Sequence, residues 1–285
     1  MMRSLLFVPG DSPRKFAKAI GTNADALVLD LEDSVAASEK AAARESVSKM
    51  LESDRAGKLL IVRVNAFDTG LTLDDLAAVM SHAPDGVMLP KCRGGADIDL
   101  LSHCLDAFEA ANGLARGRTG IVAVATETGE SVLGLPTYRP HPRLLGLLWG
   151  AEDLAASINA TTNRDGEVYS GPFLLARNLC LMAASAAQTA AIDTVCTNIG
   201  DLDYVAAEAR AARRDGFSAK AVIHPNHVDP VNAAFQPTDE EVEWARKVIK
   251  AFEDNPDQGV VNIDGKMIDK PHERAARKIL AMVKN

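Results

Sequence analysis

The sequence predicts an α/β protein, a (β/α)8 TIM barrel with a C-terminal helical extension, and three observations carry that expectation. Eight short apolar runs recur along the 285 residues: LLFVPG, ALVLDLED, LLIVRVN, GVMLPK, IVAVATE, LLGLLWGAED, AAIDTVC and AKAVIHP. Each has the length of a β-strand and is rich in Val, Ile and Leu. They read as continuous runs, the pattern of strands buried on both faces. Each ends in a residue able to bind or react, and most then feed an alanine-rich helical stretch. A barrel of serial βα units places its active site where the strands end. That singles out Arg63, Glu127 and Asp153.

The first strand runs from Ser4 to Val8 and turns at Pro9-Gly10. Ser12 and Pro13 then start a helix, as a cap followed by a first-turn proline, and the helix from Arg14 to Ile20 carries Arg14, Lys15 and Lys18. Ala26 to Leu31 is the second strand and Ser34 to Leu51 the second helix. Lys58 to Val64, Gly86 to Leu89, Gly120 to Ala125 and Leu144 to Trp149 are strands three to six. Pro136 to Pro142 is too broken by prolines for a long helix. Thr161 to Pro172 is polar and glycine-containing and reads as a loop over the barrel mouth, followed by a helix from Phe173 to Ala190. Ala191 to Val195 and Ala219 to Ile223 are the last two strands, flanking a charged helix from Tyr204 to Arg214.

The barrel accounts for residues 1–235, and 236–285 exceed what its closure needs. Thr238 with Glu241 three residues on is a capping box. A hairpin-like turn follows at Asp264-Gly265, then a last helix from Pro271. This arm is expected to pack on the barrel or on a neighbouring subunit.

Composition narrows the function classes. Hydrophobic residues make up 47% and charged residues 25%, enough for a full core under an ordinary polar surface. A net charge of −8 argues against a nucleic-acid binder or an anionic-membrane binder. No run approaches the about 18 apolar residues of a membrane span, and the N-terminus lacks a secretory pattern. Cys92, Cys104, Cys180 and Cys196 are scattered, with no CxxC, which fits a reducing compartment and a cytoplasmic location. His103 beside Cys104 lacks a second pair at zinc spacing. Neither a GxGxxG, a Walker loop nor a GxSxG occurs, which disfavours dinucleotide binding and serine hydrolysis.

Glu127 and Asp153 lie just behind the ends of adjacent strands. Neighbouring strands run about 4.8 Å apart, so two carboxylates there can share one cation. A pair of carboxylates, with water and substrate oxygens completing the octahedron, is how proteins usually hold Mg²⁺. The plainer alternative is that Asp153 caps the following helix. Arg63 ends the third strand, where its fork suits a substrate carboxylate or developing oxygen charge. An internal salt bridge to Glu32 or Asp33 is the alternative, and those two residues are also placed to orient metal-bound water. Arg14 and Lys18, at i and i+4, share a helix face that either holds a phosphate-bearing ligand or is simply solvated. Lys91 can assist there. His224 is either a general base or a structural residue, and Asp193 reads as a buried hydrogen-bonding residue.

Taken in order, RSLLFVPGDSPRKFAKA, ADALVLDLEDSV, RVN, TETGESVL, GAEDLAA, AIDTV, GFSAKAVIHP and DGKMIDKP span nearly the whole chain. The set resembles the citrate lyase β-subunit-like family, whose relatives include malyl-CoA and citramalyl-CoA lyases and related thioesterases. The resemblance implies Mg²⁺-dependent carbon–carbon cleavage or formation beside a CoA thioester. Glu127 and Asp153 match the family's metal-binding carboxylates, and Arg63 its substrate-binding arginine. Arg14 and Lys18 match basic residues near the CoA phosphates. Asp269 matches an acid/base that acts from a neighbouring subunit, in proteins that commonly form homotrimers or hexamers. GFSAK in place of the usual GFxGK, the loop from Thr161 to Gly171 and the TETGES context depart from the family pattern, and these bear on substrate identity.

The expected activity is a lyase acting on a short 3-hydroxyacyl-CoA of the citryl, malyl or citramalyl type. A malyl-CoA thioesterase, a malate-synthase-like enzyme and a metal-dependent aldolase on free keto acids are the enzymatic alternatives. Outside them stand a binding-only protein and the β chain of a multi-subunit citrate lyase, working with an α chain and an acyl carrier protein.

Overall fold

The apolar runs fold as β1 (Ser4–Pro9), β2 (Ala26–Asp30), β3 (Leu59–Arg63), β4 (Gly86–Leu89), β5 (Gly120–Val124), β6 (Leu144–Leu148), β9 (Ala190–Asp193) and β10 (Ala219–Val222). Two-residue strands β7 (Arg164–Asp165) and β8 (Val168–Tyr169) pair as a small hairpin between the sixth and seventh of these. The eight long strands are parallel and close into a barrel in the order β1, β10, β9, β6, β5, β4, β3, β2. The computed structural model describes residues 2–283, in two compact units: Met2–Asn232, and the residues from Ala233 onward.

Helices alternate with the strands: α1 (Pro13–Ile20), α2 (Lys40–Glu52), α3 (Thr72–Val79), α4 (Gly95–Ala111), α5 (Gly129–Gly134), α6 (Glu152–Ser157), α7 (Gly171–Ala186), α8 (Leu202–Asp215) and α9 (Val228–Ala234). Among the described residues, no helix is long and apolar enough to cross a membrane. Leu5, Val28, Ile61, Met88, Val122, Leu148 and Ile192 form one buried cluster contributed by seven strands. Each such side chain stabilises the fold by roughly 1.5–3 kcal/mol on burial. The wall closes tightly around them. A Cβ on Gly146 would stand 2.7 Å from Ile192 Cδ1 and 3.2 Å from the Ala190 carbonyl oxygen, so a side chain there would make its neighbours shift.

Two strand pairings set up the site. Asp30 at the end of β2 is in register with Arg63 at the end of β3. Side chains of directly paired residues leave the sheet on the same side, so the two meet. Beyond β5 and β6, the Gly150 N–H donates to Thr126 Oγ1 at 2.9 Å, tying together the loops that carry Glu127 and Asp153.

Two expectations are corrected. The second helix does not begin at Ser34; a 3-10 turn (Ala37–Glu39) precedes α2. The Asp30 carboxylate accepts from the Glu32 and Ser34 N–H groups at 2.9 and 3.1 Å, and that turn holds the chain out of helix. The polar segment from Thr161 to Pro172 is not a plain loop, since it holds the β7–β8 hairpin and the start of α7. The Tyr169 ring meets Trp149 edge-on at 4.8 Å, Arg164 lies 3.7 Å above Tyr169, and Arg164 also pairs with Glu208. Those contacts give a polar stretch a fixed shape.

Asp193 accepts from Trp149 Nε1 and from the buried Lys220 ammonium, each at 2.7 Å, as its expected hydrogen-bonding role requires. All four cysteines are unpaired.

The second unit contains α10 (Asp239–Glu253), β11 (Val260–Ile263), β12 (Lys266–Asp269) and α11 (Lys270–Val283). Both halves of the capping box form between Thr238 and Glu241. Asp264 and Gly265 both have positive φ, 51° and 80°, as a tight two-residue hairpin turn requires. Val248, Phe252, Val261, Ile263, Ile268 and Ala276 give this unit a small core of its own.

Candidate active site

Arg63 is the centre of a charged cluster at the carboxyl ends of the strands. Its Nε and Nη2 donate to the two oxygens of Asp30, both at 2.7 Å, a bidentate pair that fixes the plane of the guanidinium. Nη1 lies 2.9 Å from Glu32 Oε2 and 4.0 Å from Asp33. The Phe7 ring lies 5.0 Å from the guanidinium carbon. Burial alone would lower the arginine's pKa, but Asp30 and Glu32 push it higher still. Burial pushes Asp30 up, and Arg63 outweighs that, holding the carboxyl below its ordinary range.

Lys91 reaches across from beyond β4. Its ammonium meets Glu32 Oε1 at 2.5 Å and lies 3.6 Å from Asp153 and 3.9 Å from Asp33. Its backbone N–H donates to Glu127 Oε2. Glu127 is buried, 3% exposed, with Gly150 packed beneath it, where a Cβ would come within 3.0 Å of Glu127 Cγ. Burial, then the neighbouring charge of Glu32 and that of Asp153, pushes the Glu127 carboxyl up to about 8. Burial also raises Glu32. Asp153 is more open and sits in the first turn of α6, whose cap position is Ala151. It is therefore not the helix cap that the sequence left as an alternative.

Part of this cluster opens onto a cavity of about 600 Å³, within the range of small-molecule sites, while Glu32, Lys91 and Glu127 stand behind its lining. Asp30, Asp33, Arg63 and Asp153 line it together with Arg14, Lys15 and Lys18 of α1 and His224 beyond β10. The fold thus gathers Arg14, Lys18, Glu32, Asp33, Arg63, Glu127 and Asp153 in or beside one cleft. Asp269 belongs to the second unit, where it ends β12 and its Oδ1 meets His272 Nδ1 at 2.5 Å. Two residues were passed over or underweighted in the sequence. Asp30, the closest partner of Arg63, is the first acid of the DLED run, and only the β2–β3 register marks it out. Lys91 lies two residues past β4 and joins two carboxylates beyond β2, Glu32 and Asp33, to Asp153 of α6.

A closed parallel barrel with a charged cleft at the carboxyl ends of its strands is the architecture of a (β/α)8-barrel enzyme. The family model "HpcH/HpaI aldolase/citrate lyase" matches residues 3–225, and the chain belongs to that family. It is 35% identical over 286 residues to the citrate lyase subunit beta of Escherichia coli K12, covering 98% of this chain and 92% of that relative. It is 33% identical over 282 residues to a (3S)-malyl-CoA thioesterase of Cereibacter sphaeroides, covering 98% and 93%. A crystal structure of CitE from Mycobacterium tuberculosis, in complex with magnesium, acetoacetate and coenzyme A, superposes with a TM-score of 0.81 at 30% identity, covering 100% of this chain and 98% of that one.

Proposed function

We propose that the protein is a Mg²⁺-dependent carbon–carbon lyase that cleaves a short 3-hydroxyacyl-CoA into an acyl-CoA, such as acetyl-CoA, and a keto acid. The observation that carries this reading is the gathering of carboxylates at the barrel rim. Asp30, Glu32, Asp33, Glu127 and Asp153 converge there, with Arg63 and Lys91 as the cations that, among the described residues, pair with them directly. Among the described residues no group of three or more His, Cys, Asp or Glu side chains is arranged to hold a metal ion. A site of two carboxylates left open to water and substrate suits Mg²⁺, which binds through one or two carboxylates and keeps several waters. The donors therefore fit the ion, and Glu127 and Asp153 are the residues that would hold it. The magnesium named in the CitE complex supports this choice.

When bound, Mg²⁺ supplies Lewis-acid stabilisation to the substrate's hydroxyl or carbonyl oxygen and one carboxylate. The protein's own residues do the rest. Arg63, held flat by Asp30, presents fixed positive charge to oxygen that gains negative charge as the carbon–carbon bond breaks. Glu32 and Asp33 orient water at the rim. Arg14 and Lys18, on the cavity wall, attract the phosphates of the CoA moiety. Asp269 protonates the acetyl carbon in cleavage and removes that proton in the reverse direction. It is proposed to act from a neighbouring subunit of a homotrimer or hexamer, which gives the second unit a catalytic purpose.

The likeness to a (3S)-malyl-CoA thioesterase favours a second reading, in which water attacks the thioester carbonyl. The likeness to citrate lyase β chains keeps a carrier-protein thioester, with an α chain beside it, as a variant of the first. Incubating the purified protein with malyl-, citramalyl- and citryl-CoA plus Mg²⁺ separates them. Acetyl-CoA with a keto acid is the expected product. Free CoA with an intact hydroxy acid would establish the thioesterase instead, and no turnover of any thioester would remove both.

A further inference from the structure

Lys91 does two things in the cleft, and only one of them requires a lysine. The N–H that it donates to Glu127 is a backbone group, available from any residue but proline. Its backbone stands at φ 50°, in the left-handed region where glycine is at ease and a side chain is strained. A lysine kept there points to a use for the ammonium. That ammonium lies within 4 Å of Glu32 and Asp33, beyond β2, and of Asp153 in the first turn of α6. The other cation of the cluster, Arg63, has its fork committed to Asp30 and its remaining edge turned to Glu32. Among the described residues, Lys91 is thus the cation that pairs with Asp153.

We infer that Lys91 is the internal counter-ion of the carboxylate cluster, competing with the divalent cation for Asp153 and so setting metal affinity. Without metal, the ammonium offsets the repulsion among Glu32, Asp33 and Asp153 and keeps them facing inward. With metal, the two positive centres repel at short range, and binding is weaker than the carboxylates alone would give. Lys91 is a positioning residue in this account. The inference rests on the Mg²⁺ reading above.

Two variants separate charge from backbone. Lys91→Met removes the ammonium and keeps the strained φ, while Lys91→Gly removes the ammonium and relaxes it; both retain the N–H to Glu127. Calorimetric titration of the full chain with MgCl₂ is expected to show roughly tenfold tighter binding in both variants than in the wild type. The rise in Tm caused by saturating Mg²⁺ is expected to be larger in both. Unchanged or weaker affinity in both variants, with normal binding by the wild type, overturns the counter-ion role and leaves the metal site standing. Tightening in Lys91→Gly alone assigns the effect to the backbone and also overturns it. Absence of Mg²⁺ binding in the wild type overturns the metal site and this inference together.

Discussion

Two buried glutamates flank the same pair of strands and are perturbed in opposite directions. Glu127 stands beyond the carboxyl end of β5, and Glu109 packs near the amino ends of β5 and β6, where it meets Thr119 and Arg143. Around Glu109 every need is met. Arg143 donates to both carboxylate oxygens at 2.8 and 2.6 Å, and the Thr119 and Gly117 N–H groups add one bond each at 2.8 Å. Burial pushes Glu109 up, but these donors outweigh it and bring the carboxyl down to about 2. Around Glu127 one backbone N–H faces two further carboxylates, and the carboxyl rises to about 8. The contrast shows that burial alone does not decide what an acid does. One glutamate is paired for stability, whereas the other is held at high energy in a cleft, as functional carboxylates are.

The sharpest way to break this contrast is to neutralise each end. Glu127→Gln is expected to lower turnover at least about a thousandfold, because the lost Lewis-acid term amounts to several kcal/mol. Its metal-free thermal unfolding at pH 7 should move to higher temperature than the wild type's, since the native Glu127 carboxyl is held protonated where the unfolded chain would ionise it. Initial rates and a melting curve check both halves. Arg143→Ala should do the reverse. Leaving Glu109 buried with its two backbone donors but no cation costs about 3–5 kcal/mol of stability, while activity per folded molecule at low temperature stays near the wild-type value. Urea unfolding paired with an assay reads this directly.

The pH dependence should carry opposite signs at the two ends. Glu109 has a folded pKa below its ordinary 4.5, so its contribution is present above 4.5 and lost as pH falls towards 2. The stability gap between wild type and Glu109→Gln should therefore close on acidification. Glu127 has a folded pKa above 4.5, so the metal-free wild type should lose stability relative to Glu127→Gln as pH rises from 4.5 through 8. Unfolding free energies measured without metal across that range test both signs. The smallest expected effect is Gly150→Ala. Its new Cβ would press on Glu127 Cγ from 3.0 Å, displacing the carboxylate slightly. Mg²⁺ affinity should weaken several-fold with little change in Tm.

Much of this fold was legible in the residues because strands buried on both faces are written as unbroken apolar runs, and those runs end at the rim. Arg63, Glu127 and Asp153 could be singled out for that reason. Asp30 could not, since its pairing with Arg63 depends on the register of two strands almost thirty residues apart in the chain. The late start of α2 follows from the same side chain, which captures two backbone N–H groups that a helix would otherwise organise. Lys91 was visible but hard to weigh. Its importance comes from a left-handed backbone that turns its ammonium back over the cleft, and no periodicity encodes that. The β7–β8 hairpin owes its shape to Trp149, Tyr169, Arg164 and Glu208, contacts that a polar stretch does not announce.

The most direct measurement is a calorimetric Mg²⁺ titration of the wild type, Glu127→Gln and Glu109→Gln under identical conditions. Wild type and Glu109→Gln are expected to bind with the same affinity, and Glu127→Gln to give no binding heat. Wild-type affinity retained in Glu127→Gln would contradict the assignment of Glu127 as a metal ligand.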